Sequence, residues 1–189
     1  MSDGPFDGRL KETPSQTAGP YVHIGTAPQS IGRPALPNQP GPVAFEGTGA
    51  VTVEGIVYDG AGEPVRDAMI EFWGADPDGR VGRNGLFGRT TSDFRTGVYR
   101  FRTARPGPLK AGTAPYIAIL IFARGINLHL ATRLYFPENR AQIDADPDLR
   151  RVSPSGRASL TAVKASDGEA DYRFDIHLQG ENETVFFDV

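Results

Sequence analysis

A chain of 189 residues with a formal charge of −3, three histidines and no cysteine has room for one domain with a full core, and it excludes a disulfide framework and any thiolate metal site. Its Lys and Arg residues are scattered rather than clustered, so they leave no electrostatic footprint for nucleic acid, although one arginine suffices to hold a small acidic ligand. The opening Met1-Ser2-Asp3-Gly4-Pro5 lacks the basic and apolar regions of a secretory signal, and the longest apolar run, Tyr116 to Ala123, falls far short of the ~20 residues that span a bilayer; a cytoplasmic protein without membrane contact is expected.

The first distinctive segment is Thr13-Pro14-Ser15-Gln16-Thr17-Ala18-Gly19-Pro20-Tyr21, small and rigid residues ending in an aromatic. From Thr26 to Gly49, Pro28, Pro34, Pro37, Pro40 and Pro42 remove donors that helix and sheet both need. Composition changes near Gly49, which predicts an extended Pro-rich N-terminal arm and linker over residues 1–48 and one folded unit over 49–189. Period-two patterns then dominate: Val51, Val53, Gly55 and Val57, followed by Ala68, Ile70 and Phe72, read as half-buried strands. Tyr116 to Phe122 is apolar on both faces, as in a central strand covered on each side. Only Pro137 to Arg151 suggests helix, and Pro147 breaks it. From Asp171 to Leu178, Tyr172, Phe174, Ile176 and Leu178 face one way while Asp171, Arg173, Asp175 and His177 face the other. Asp59-Gly60, Asp78-Gly79 and Asp167-Gly168 supply turns tolerant of positive φ. Short strands, Gly/Asp turns and almost no helix predict an all-β sandwich.

Chemistry has few candidates. No two histidines stand at i, i+2 or i, i+4, so no local metal-binding pair is encoded. His177 falls on the polar face of its strand, His129 reads as a turn or contact residue, and His23 reads as a surface or subunit contact. No Gly-x-Ser-x-Gly elbow and no phosphate-binding glycine loop occurs. Two segments stay unexplained by composition. One is the Thr13–Tyr21 stretch, which suits either a strap on the sandwich or a pocket wall. The other is Phe122-Ala123-Arg124-Gly125-Ile126-Asn127, where Arg124 either leaves the core for water or recognises a carboxylate through two parallel N–H donors.

These segments carry a resemblance. Thr13 to Gly25, the block from Gly55-Ile56-Val57-Tyr58-Asp59-Gly60 through Arg66-Asp67-Ala68 to Asp76, Phe122 to Tyr135, and the ending from Tyr172 to Asp188 resemble the intradiol ring-cleavage dioxygenases, and within them the alpha chains of the enzymes that cleave protocatechuate. The resemblance implies a β-sandwich that assembles with a homologous beta chain. It implies cleavage of a catechol carboxylate with O2, in aromatic degradation through the beta-ketoadipate pathway, to 3-carboxy-cis,cis-muconate. It also implies ferric iron held in the beta chain by two tyrosines and two histidines, the histidines two apart on a central strand. Here that strand reads Tyr116-Ile117-Ala118, and neither the stretch between Pro106 and Pro115 nor that between Gly79 and Gly88 holds a tyrosine. No metal ligand is therefore expected in this chain. The resemblance assigns Arg124 to the substrate carboxylate and Thr17, Gly19, Pro20 and Tyr21 to the pocket lining.

A rival of a different class is a non-catalytic β-sandwich binding module of the transthyretin type, to which the N-terminal motif would be foreign. A self-sufficient single-chain dioxygenase fails on the missing ligands. An obligate partner chain also predicts exposed aromatic surface, with Tyr135, Phe186 and Phe187 as candidates.

Overall fold

The computed structural model describes residues 16–19, 21–82, 85–166 and 168–188. Two sheets face each other. In the first, β1 (Ala50–Tyr58) pairs antiparallel with β4 (Val98–Ala104) and parallel with two short pieces, β8 (Tyr172–Arg173) and β9 (Ile176–His177), while β7 (Val163–Lys164) extends it beyond β8. The second is antiparallel in the order β3 (Leu86–Thr91), β2 (Met69–Gly74), β5 (Tyr116–Phe122), β6 (Leu130–Tyr135).

The alternation read from the sequence sets the core. Val53, Val57, Tyr99 and Phe101 from the first sheet meet Ile70, Phe72, Ile117, Ile119, Ile121 and Leu134 from the second. Phe72 and Phe101 stack across the gap with centroids 4.0 Å apart, a favourable aromatic packing distance. β5 occupies the centre of its sheet, but its outer residues Tyr116, Ala118, Leu120 and Phe122 are only half-buried. It is covered fully on one face rather than both.

Helix is more frequent than composition suggests. The arm is not extended throughout: α1 (Tyr21–Thr26) and a 3-10 turn (Pro28–Ile31) precede its irregular stretch. Downstream, α2 (Arg140–Ala145) ends before the 3-10 turn Pro147–Leu149, where Pro147 breaks the pattern as expected. The short α3 (Pro154–Ser159) is capped by the Ser153 hydroxyl, which accepts from Gly156 N at 3.0 Å. These pieces cover one end of the sandwich, where Ile143, Leu149 and Leu160 form a second small core with Tyr135 and Ala114.

Two further expectations change. At Asp59 the left-handed residue is Gly62, not Gly60, because the Asp59 carboxylate accepts from both Ala61 N and Glu63 N and moves the tight point two residues on. The aromatic surface also lies elsewhere than the C-terminus. Tyr135 is fully buried in the second core and Phe186 and Phe187 pack against the two cores, whereas among the described residues Tyr21, Trp73, Phe87 and Phe94 are the exposed Phe, Tyr and Trp side chains.

Candidate functional site

The site is built where the N-terminal segment crosses the second sheet. A six-residue helix is too short to persist on its own, and α1 is held by side chains. His23 is buried, with Nε2 3.2 Å from the Asp67 carbonyl, Nδ1 3.2 Å from the Ser30 hydroxyl, and its ring 5.1 Å from that of Phe94. At the helix end, Arg89 donates Nη1 to the Thr26 carbonyl at 3.0 Å while Nε and Nη2 hold the Glu71 carboxylate. The Thr26 hydroxyl meets Met69 Sδ at 2.9 Å. A cation on the last carbonyls suits the helix dipole, and α1 is thereby fixed to β2 and β3.

This anchoring delivers Thr17 to the Ala-Arg-Gly motif. Beyond β5 the chain makes a β-turn closed by Ile126 N on the Ala123 carbonyl at 3.2 Å, with Gly125 at φ +82°. That conformation favours glycine and leaves Arg124 at the outer corner of the turn. Thr17 stitches the turn from outside: its hydroxyl accepts from Gly125 N at 2.9 Å and donates to the Ala123 carbonyl at 3.4 Å. The Arg124 side chain is 73% exposed, and its Nε donates to Asp67 Oδ2. Arg124, Asp67, His23 and Phe94 border an open cleft of about 940 Å³.

Of the residues singled out in the sequence, Thr17 and Arg124 are therefore brought together through the turn. Gly19 starts α1, its carbonyl accepting from Val22 N at 3.0 Å. Among the described residues, a Cβ on Gly19 would meet nothing within 4 Å. Tyr21 is 80% exposed on α1 and is not part of the cleft lining. Pro20 lies outside the described residues. Sequence reasoning missed Asp67 and misjudged His23, which is buried. Asp67 stood inside a quoted motif, but nothing in its neighbours indicates an ion pair to a residue 57 positions away. His177 is half-buried and stacks on Tyr58 at 4.9 Å, and His129 is exposed beside Phe122.

A second groove, between α3 and β8–β9, holds the Arg173–Asp175 ion pair, but neither unexplained motif reaches it. The two motifs meet at the Ala123–Ile126 turn, whose Arg124 and Gly125 border the first cleft.

The residues where the two histidines would stand do not fit a ferric ion. Tyr116 and Ala118 both lie on the outer face of β5, and the Arg133 guanidinium sits 4.4 Å above the Tyr116 ring and 4.5 Å from that of Phe187. Burial disfavours the Arg133 charge, but the Tyr135 hydroxyl at 3.3 Å, with Tyr116 and Asp148, outweighs it and holds the proton more tightly than usual for arginine. A fixed cation there repels a metal ion. Among the described residues, no three His, Cys, Asp or Glu side chains converge on one point.

The double sheet is that of the intradiol ring-cleaving dioxygenases. A family model described as dioxygenase matches residues 45–180. The intradiol ring-cleavage dioxygenase of Tetranychus urticae shares the fold with a TM-score of 0.58 at 16% identity, over 76% of this chain and 89% of that one. The sequence is 44% identical to the protocatechuate 3,4-dioxygenase alpha chain of Pseudomonas putida, over 95% of this chain and 97% of that one. It is 29% identical to the protocatechuate 3,4-dioxygenase beta chain of Burkholderia cepacia, over 71% and 66%. The chain belongs to the protocatechuate 3,4-dioxygenase alpha-chain family.

Proposed function

We propose that this chain is the alpha subunit of a protocatechuate-cleaving intradiol dioxygenase, that it pairs in the cytoplasm with a homologous beta chain, and that it supplies the carboxylate-binding wall of the shared pocket. The ferric iron belongs to the beta chain and would activate the catecholate ring toward O2 there; no bond-making step is assigned to a residue of this chain. Its contribution is binding, orientation and exclusion of water. Arg124 takes the substrate carboxylate through its free Nη donors, opposite the two ring hydroxyls. Thr17 fixes the turn that carries Arg124. Gly19 brings backbone close to the ligand, and Tyr21 sets its hydroxyl at the rim. In this reading residues 1–48 serve as the arm that reaches the shared pocket, and 49–189 as the sandwich that supports it.

The observation that carries this reading is the stitch of Thr17 onto Ala123 and Gly125, which joins the two motifs at an arginine with free donors. The test is Arg124→Ala in the co-expressed alpha-beta enzyme. Losing a charge-assisted carboxylate pair is expected to lower kcat/KM for protocatechuate about ten- to a hundredfold, with iron content and assembly unchanged. Unaltered kinetics would remove Arg124 from the site.

A further inference from the structure

Resting on that reading, the geometry points to Asp67 as the positioning residue of Arg124: its carboxylate fixes which edge of the guanidinium meets the substrate. Arg124 is exposed and starts from a turn corner, so few atoms around it restrict its rotamers. Asp67 is the reverse. Its side chain is only 21% exposed, it lies on the approach to β2, and its backbone carbonyl is tied to the buried His23 ring. It is thus a fixed acceptor beside a mobile donor. A guanidinium has five N–H donors in a planar fork and can take a carboxylate side-on through Nε and one Nη, or end-on through both Nη atoms. Nε carries a single proton, and Asp67 Oδ2 accepts it. The side-on edge is therefore spent, and an incoming carboxylate is received end-on. Thr17 holds the same residue's backbone by way of Gly125 N and the Ala123 carbonyl, so Arg124 is restrained at both ends.

The arrangement exchanges charge for geometry. A guanidinium already paired with one carboxylate attracts a second anion less than a lone arginine does, but it loses less rotamer freedom when the substrate arrives. Removing Asp67 therefore has opposite effects under the two possible roles. If Asp67 positions Arg124, the substrate must itself immobilise a long side chain and use of the carboxylated substrate falls. If Asp67 only dilutes the charge, removing it strengthens attraction for the anion.

The experiment uses the reconstituted alpha-beta enzyme and the ratio of kcat/KM for protocatechuate to kcat/KM for catechol, which lacks the carboxylate. Asp67→Ala is expected to lower this ratio about three- to tenfold, mainly through KM for protocatechuate. Asp67→Asn keeps an oxygen acceptor without the charge and is expected to recover part of the loss. Asp67→Ala combined with Arg124→Ala is expected to be no worse than Arg124→Ala alone, because Asp67 acts only through Arg124. An unchanged or increased ratio in Asp67→Ala, with Arg124→Ala still impaired, would overturn the positioning role and leave the carboxylate-binding role of Arg124 standing. An unchanged ratio in Arg124→Ala would overturn both. Equal losses with both substrates in Asp67→Ala would mark a general structural defect and overturn the proposal as well.

Discussion

At the scale of single residues, the interior depends on a buried hydroxyl. Tyr99 is fully buried and donates to the Phe174 carbonyl, and burial above all, with the Asp175 charge, pushes its pKa well above the usual tyrosine value. Gly55 leaves the space: a Cβ there would lie 1.9 Å from the Phe174 oxygen and 2.8 Å from the Tyr99 hydroxyl. Tyr99→Phe strands that carbonyl and is expected to cost about 1–3 kcal/mol, readable as a lower urea midpoint with an unchanged slope. Two other tyrosines add a pH dependence. Burial chiefly raises Tyr135 and Tyr172 to about 12; the Glu138 carboxylate, 2.8 Å from the Tyr172 hydroxyl, adds to the second. Below about pH 10 the folded and unfolded chains both keep these protons, and the stability is fully present. As pH rises from there toward about 12 the unfolded chain releases protons that the folded one retains, so stability falls. Urea midpoints across this window should decline in step with tyrosinate absorbance of the unfolded chain; a flat profile would show these hydroxyls to be unperturbed.

At the scale of elements, the last strand shows how far pattern reading extends. The alternation from Asp171 to Leu178 correctly assigns Tyr172, Phe174 and Ile176 to the core, because a period of two depends only on which face is buried. It does not reveal that the ladder is interrupted. Side chains replace parts of it: Asp171 Oδ2 accepts from Thr52 N at 2.7 Å and Asp175 Oδ1 from Ile56 N at 2.9 Å. Two-residue pieces therefore stand where one strand was expected. Asp175→Ala leaves the Ile56 amide without its acceptor and should cost about 1–3 kcal/mol, with faster hydrogen exchange at Ile56 as the local signature; unchanged exchange there would mean that the ladder tolerates the loss. α1 was illegible for a related reason. Tyr-Val-His-Ile-Gly-Thr has β-branched residues and a glycine, poor helix formers, and its stability comes from His23, Thr26 and Arg89 contacts far away in sequence. The candidate site divides the same way. The motifs holding Thr17 and Arg124 are contiguous and could be read, whereas the Asp67–Arg124 pair exists only after β2 and the end of β5 have been brought side by side.

At the scale of the whole molecule, the outward face of β5 and β6 carries a cluster built around the Arg133 cation. Where the resemblance expects two histidines, this chain sets Tyr116 and Ala118, and Ala118 stands opposite Arg133. The guanidinium, packed against Tyr116 and Phe187 and hydrogen-bonded to Tyr135, supplies positive charge inside the protein itself. Cation–π packing of a partly desolvated arginine stabilises this end of the sheet and makes a second, higher-valent cation unfavourable. A tyrosine phenolate can ligate ferric iron, so the two tyrosines of this cluster are the residues to test. In the alpha-beta enzyme, Tyr116→Phe and Tyr135→Phe should leave the stoichiometry of iron and its tyrosinate-to-iron absorption unchanged, the outcome expected where the coloured ligands lie in the proposed partner chain. The isolated chain should retain no stoichiometric iron after gel filtration. Loss of the absorption in either variant would place that tyrosine in the metal's coordination shell. The Arg133 cluster would then be a site that rearranges on assembly, rather than one in which a guanidinium has taken the metal's place.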